Sequence, residues 1–210
     1  PPRSTLFPYT TLFRSLYGVM INREGFRFLD EGKDVQFLTY AKYGRIILTQ
    51  PGGTAFQFFD QKTVDLLEPR YSTSEPVVAD TLEDLIAKLG IDDKGQALET
   101  LNQYNAAACD PDGFDPSAKD GLSTQGLDIE KTNWAIRLDS PPFHAYTVTG
   151  GITFTFGGLK IDANARVIGA DGQPIPGLYT CGEMVGGLFH DNYGAGDRKS
   201  TRLNSSHTSI

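Results

Sequence analysis

Pro174-Ile175-Pro176-Gly177-Leu178-Tyr179-Thr180-Cys181-Gly182-Glu183-Met184-Val185-Gly186-Gly187 is the stretch on which the fold turns. Its apolar core, Leu178-Tyr179-Thr180, is too short for a helix and is bracketed by glycines, so it reads as a strand running into a turn at Gly182-Glu183. A related stretch lies upstream: Gly150-Gly151-Ile152-Thr153-Phe154-Thr155-Phe156-Gly157-Gly158-Leu159-Lys160-Ile161-Asp162. Glycine at this density serves tight β-turns. It also suits a backbone that approaches a flat cofactor or an anion closely, with peptide N–H groups as donors. Composition leaves both readings open.

Outward from these stretches, short β segments punctuated by Gly and Pro continue through Tyr146-Thr147-Val148, Thr153-Phe154-Thr155, Leu159-Lys160-Ile161 and Arg166-Val167-Ile168. The first two thirds of the chain are mixed. Leu16 to Ile21 and Phe26 to Leu29 read as two strands around a turn at Glu24-Gly25. Phe37 to Thr49 reads as a helix stopped by Pro51-Gly52-Gly53, Ala55 to Phe59 as a strand, and Thr63 to Leu67 as a short helix. Thr81-Leu82-Glu83-Asp84 opens a further helix as a capping box, with Leu82, Leu85, Ile86 and Leu89 on one face and Gly90 as its stop. Another helix starts near Asp93, and residues 110–128 form a polar loop. The fold class is α+β.

The chain has 210 residues and a formal net charge of −7. Residues 1–15 and 198–210 contain no Asp or Glu, carry Arg3, Arg14, Arg198, Lys199 and Arg202, and resemble translated adaptor sequence. Both are set aside as non-native tails. Without those five cations, 14 basic side chains face 26 acidic ones, a net of −12. So acidic a surface excludes a nucleic-acid backbone as the main partner. No run of about 18 apolar residues is present to span a bilayer. Cys109 and Cys181 lack metal-ligand spacing and point to reduced thiols in the cytoplasm. There is no G-x-G-x-x-G, P-loop, H-E-x-x-H or G-x-S-x-G, and the histidines at 144, 190 and 207 are scattered, so a metal site or a serine-type triad has no support.

The two glycine-rich stretches resemble the C-terminal part of the FAD-dependent fumarate reductase and succinate dehydrogenase flavoprotein superfamily. Val19-Met20-Ile21-Asn22-Arg23-Glu24-Gly25-Phe26-Arg27-Phe28-Leu29-Asp30-Glu31 is similar to the start of that superfamily's cap domain. Within the superfamily, Lys131-Thr132-Asn133-Trp134-Ala135, Leu138 to Tyr146 and Tyr40-Ala41-Lys42-Tyr43-Gly44-Arg45 resemble the tricarballylate dehydrogenases, which oxidise tricarballylate to cis-aconitate. The resemblance implies a substrate-capping domain over 16–152 and the C-terminal, β-rich part of a Rossmann-like FAD-binding domain over 153–197. The N-terminal half of that second domain is missing, so the chain is expected to be an internal fragment, inactive alone and binding little or no FAD. It implies FAD as cofactor, a small anionic polycarboxylate as substrate and a separate electron acceptor that reoxidises the flavin. The alternatives are a fumarate reductase-like or 3-ketosteroid dehydrogenase-like flavoenzyme, or a fragment that binds no cofactor.

The resemblance also assigns residues. Glu183 matches the superfamily's Gly-Glu acid, which hydrogen-bonds the flavin cofactor. Thr153 and Phe154 stand where fumarate reductases carry a His pair; a Thr153 hydroxyl can still donate to a carboxylate, and Phe154 contacts the flavin through its backbone. Tyr193 stands where fumarate reductases place a substrate-clamping Arg and ketosteroid dehydrogenases a Tyr. Gly196 matches a glycine whose backbone approaches the substrate. Tyr40 lies near the proton-donating Arg of the fumarate reductases, with Lys42 and Arg45 beside it to hold the anion. On a helix only some of Tyr40, Lys42, Tyr43 and Arg45 can share a face.

Overall fold

The computed structural model describes residues 15–67, 75–151 and 157–187; within the first helix it leaves the side chains of Gln36, Phe37 and Tyr40 undescribed. The chain divides into two compact units, Pro1–Gly151 and Ile152–Ile210. In the first, four strands form one antiparallel sheet in the order β1-β2-β4-β3: β1 (Val19–Asn22), β2 (Thr54–Phe59), β3 (Val77–Ala79) and β4 (Phe143–Thr149). The central β2 pairs with β1 through Ile21↔Phe56 and with β4 through Phe58↔Ala145.

Alternation along the strands builds the core. Val19, Ile21, Phe56, Phe58, Phe143 and Ala145 pack with helix α3 (Leu82–Ala87) and helix α4 (Lys94–Ala107), whose Leu85, Ile86, Ala97, Leu101 and Tyr104 are buried. The alternate residues Met20, Gln57, Phe59 and Tyr146 are buried as well, so the sheet is covered on both faces. Helix α1 (Gln36–Leu48) lies against β2 and β4 and buries Thr39, Tyr43 and Ile47, a stripe at i, i+4 and i+8. The helix starts follow side-chain caps. Thr81 accepts from Asp84 N at 3.1 Å and Asp93 from Gln96 N at 2.8 Å, each cap contributing about 1 kcal/mol.

Three expected elements differ from those observed. Phe26 to Leu29 forms no second strand; it contributes one isolated bridge, Ile21↔Arg27. Helix α2 (Gln61–Val64) starts earlier than its apolar residues suggest, because Asp60 caps it by accepting from Lys62 N. In the second unit, β5 (Arg166–Ile168) and β6 (Pro174–Tyr179) form an antiparallel hairpin, whereas Leu159 to Ile161 makes isolated bridges instead of a strand. No helix of the described residues is long and apolar enough to cross a membrane.

Candidate functional site

Helix α1 decides where the basic pair goes. Tyr43 turns inward, 2% exposed, and its hydroxyl donates to Asp30 O at 2.5 Å. Burial raises its phenol well above the ordinary value, with Asp30 and Glu31 adding to the effect, so Tyr43 stays protonated and removed from solvent. Lys42 is partly buried and Arg45 exposed. Three residues apart, they lie on the same flank of the helix, outside the buried stripe. The described residues therefore bring Lys42 and Arg45 together and assign Tyr43 to packing. Tyr40 sits in the same helix, with its side chain outside the description.

In the second unit the two glycine-rich stretches meet. Leu159 N donates to Met184 O at 2.7 Å and Gly186 N to Leu159 O at 3.1 Å, a parallel bridge between Leu159 and Val185. A Cβ at position 158 would stand 2.4 Å from Met184 O, which is why the crossing is built from glycine. Of the two readings of glycine density, the described residues show turns and close approach of chain to chain. Glu183 lies partly buried in the 3-10 turn Gly182–Met184, directly after Gly182 at φ +73°. A carboxylate on a turn preceded by a glycine, with the exposed Met184 after it, leaves the backbone at Gly182 open to a hydroxyl-rich ligand. Cys181 is exposed and Cys109 partly buried, and both are free thiols. Thr153, Phe154, Tyr193 and Gly196 lie outside the described residues, as does His190.

His144 sits on β4 between Phe59 of β2 and Val78 of β3. Its Nδ1 is buried with no hydrogen-bond partner, and burial lowers its pKa against the pull of Asp65, so the ring is neutral at pH 7. What sequence reasoning missed is a set of buried charges in the first unit. Glu31, Asp60 and Lys131 are all inaccessible to solvent. Asp60 accepts from Asp139 N and Ser140 N, each at 3.1 Å, and pairs with Lys62, which also pairs with Asp139. Nothing in hydrophobic periodicity marks such residues, although Glu31 and Lys131 fall inside quoted motifs. No group of three or more His, Cys, Asp or Glu among the described residues is arranged to hold a metal ion.

The sequence profile of the FAD binding domain family matches residues 6–196. The chain is 34% identical over 187 residues to the fumarate reductase (cytochrome) of Shewanella frigidimarina, covering 87% of this chain and 29% of that protein. It is 32% identical over 176 residues to the NADH:acrylate oxidoreductase of Vibrio harveyi, covering 83% of this chain and 16% of that protein. It thus spans less than a third of the length of these curated relatives. Among solved structures, the open conformation of a flavocytochrome c3 fumarate reductase superposes with a TM-score of 0.64 at 26% identity, over 91% of this chain and 31% of that one. The 3-ketosteroid delta1-dehydrogenase of Sterolibacterium denitrificans shares the fold, with a TM-score of 0.63 at 23% identity over 94% of this chain and 40% of that one. The chain belongs to the FAD binding domain family, alongside flavoproteins of the fumarate reductase type, and its cofactor is FAD.

Proposed function

We propose that this chain is part of an FAD-dependent oxidoreductase that dehydrogenates a CH–CH bond of a small polycarboxylate, with tricarballylate, oxidised to cis-aconitate, as its substrate. The observation that carries the reading is the Lys42 and Arg45 pair on one flank of α1, a local concentration of cations on an otherwise acidic chain. The relatives' names support a small carboxylate as substrate, since fumarate and acrylate both carry a carboxylate beside a carbon–carbon double bond, and of the two fumarate is a polycarboxylate. Residues 16–152 supply the substrate cap and 153–197 the late part of the FAD-binding domain.

FAD, when bound, supplies the two-electron acceptor. Glu183 and the backbone at Phe154 would hold it. Arg45 offers a planar fork that matches a carboxylate in two parallel hydrogen bonds, and Lys42 a compact ammonium with three donors. The Thr153 hydroxyl and the Gly196 backbone complete the substrate's hydrogen bonds. Tyr193 orients a carboxylate through its phenol, and Tyr40 handles the proton lost from the carbon beside a carboxylate. Fixing the reacting C–H bond against the cofactor is the larger part of the protein's task.

A reductase of the same carboxylate class is the second reading, favoured by the 34% identity to a fumarate reductase. The Thr153-Phe154 pair in place of two histidines argues for oxidation. An anaerobic assay on the full-length flavoprotein separates them: tricarballylate is expected to bleach the oxidised flavin, while fumarate leaves the reduced flavin reduced. The reverse pattern makes the protein a reductase, and no response to either acid removes the polycarboxylate reading. Tyr40→Phe in the same protein is expected to cut turnover by about 10²- to 10⁴-fold with flavin content unchanged. Unchanged turnover takes Tyr40 out of proton handling.

A further inference from the structure

The strand β1 stands at the edge of the four-stranded sheet, with β2 on one side only. Two buried charged side chains hold its other side. Glu31 Oε1 accepts from Met20 N at 2.8 Å, and Lys131 Nζ donates to Gly18 O, just before the strand, at 2.8 Å. An edge strand otherwise exposes such groups to unwanted pairing, so polar side chains that satisfy them close the edge. The anion of this pair is compensated: Arg27 meets Glu31 through Nη2 to Oε2 at 2.5 Å and Nε to Oε1 at 3.2 Å. The cation is not. Among the described residues no ion pair includes Lys131, and its Nζ donates to the Gly18 carbonyl alone. The other feature near it is the Tyr104 ring, 5.8 Å from Nζ to the centroid.

We propose that Lys131 is a clamp on this sheet edge that stabilises it more as the pH rises, its fully buried Nζ having one carbonyl acceptor. Protonated, it is a buried cation with one acceptor; deprotonated, it keeps its bond to Gly18 and the buried charge is gone. The groups that face it come from three directions: Arg27, Asp30 and Glu31 from the segment after β1, Tyr104 from α4, and Asp120 from the loop before it. Desolvation dominates and Arg27 acts with it, against the three carboxylates, lowering the Lys131 pKa from 10.5 to about 8. Burial drives the Tyr104 phenol in the opposite direction, so it stays neutral across this range.

The direction of the effect follows from proton counting. Between about pH 8 and pH 10.5 the unfolded chain holds a proton on Lys131 that the folded chain has released, so stability rises with pH through this window and Lys131 adds no pH dependence below it. One proton corresponds to about a tenfold change in the folding equilibrium constant per pH unit. The test is urea unfolding of the full chain at steps from pH 7 to pH 10, for the wild type and for Lys131→Met, whose similar length keeps the packing. The ratio of their folding constants is expected to be constant up to about pH 8 and then to climb in favour of the wild type, by about 100-fold at pH 10. Parallel curves overturn the proposal. If the variant does not fold, ¹³C-lysine NMR of the wild type decides instead: one lysine titrating near pH 8, ahead of the others, supports the clamp, and all lysines titrating together near pH 10.5 overturn it.

Discussion

Glu31→Leu is expected to remove about 3–5 kcal/mol of stability from the first unit, a large share of the roughly 5–15 kcal/mol that a domain possesses. Glu31 is wholly inaccessible, and the Arg27 side chain that it pairs with is only 6% exposed. Leucine leaves that guanidinium buried with carbonyl acceptors alone, Ile129 O at 2.5 Å and Leu29 O at 3.4 Å. It also orphans the Met20 N–H, which costs about 1–3 kcal/mol by itself when no acceptor replaces the carboxylate. Glu31→Gln keeps an acceptor for Met20 N but loses the charge and turns the oxygen that accepts from Arg27 Nη2 into an NH2 donor, so its cost should lie between those of the wild type and leucine. Urea midpoints of the three proteins check the order. The Arg23–Asp92 pair is the internal comparison: both side chains are largely in solvent, 42% and 57% exposed, and breaking it should leave the midpoint where it is. Equal losses at the buried and exposed pairs would mean that burial does not set the energetics of this unit.

The contrast between these ion pairs also explains how much could be read in advance. The helices α1, α3 and α4 were legible because their signals are local: an apolar stripe at three- and four-residue spacing, and caps at Thr81 and Asp93 that act within one turn. The strand β3 has three residues, too few for alternation to register. The expected second strand at Phe26 to Leu29 is reduced to the one bridge at Arg27, whose side chain reaches Glu31 and Ile129 O, 102 residues away in sequence. Lys131 and Gly18 are 113 residues apart. No window on the sequence connects such partners, and a buried charge looks locally like a solvated one. At the candidate site, grouping Lys42 with Arg45 followed from helical geometry, whereas the inward turn of Tyr43 depended on which flank of α1 meets the sheet. Glu183 was named by the resemblance of its Gly-Glu pair to the superfamily. The crossing at Leu159 and Val185, which brings two separately quoted stretches together, required the fold.

Replacing both Lys42 and Arg45, as Lys42→Met with Arg45→Leu, is expected to raise KM for a tricarboxylate by about 100- to 1,000-fold in the full-length flavoprotein. A hydrogen bond to a charged group contributes about 1.5–3 kcal/mol, and each 1.4 kcal/mol is a factor of ten, so two lost cations reach this range even when solvent screens part of the interaction. The effect should fall on KM more than on kcat, because carboxylates remote from the reacting carbons are held alike in the ground state and the transition state. Fold and flavin content should not change, since both residues lie outside the Thr39, Tyr43 and Ile47 stripe that seats α1 and on a different unit from Glu183. Substrate charge gives the sharper reading. An acid with three carboxylates loses more than an acid with one when cations are removed, so the penalty should shrink from tricarballylate to acrylate, and raised salt should mimic the substitution on the wild type. A uniform penalty across these acids would make the pair a support for helix α1 and not an anion site. No penalty at all would move the polycarboxylate contacts to other residues and leave the flavin assignment standing on Glu183 and the family match alone.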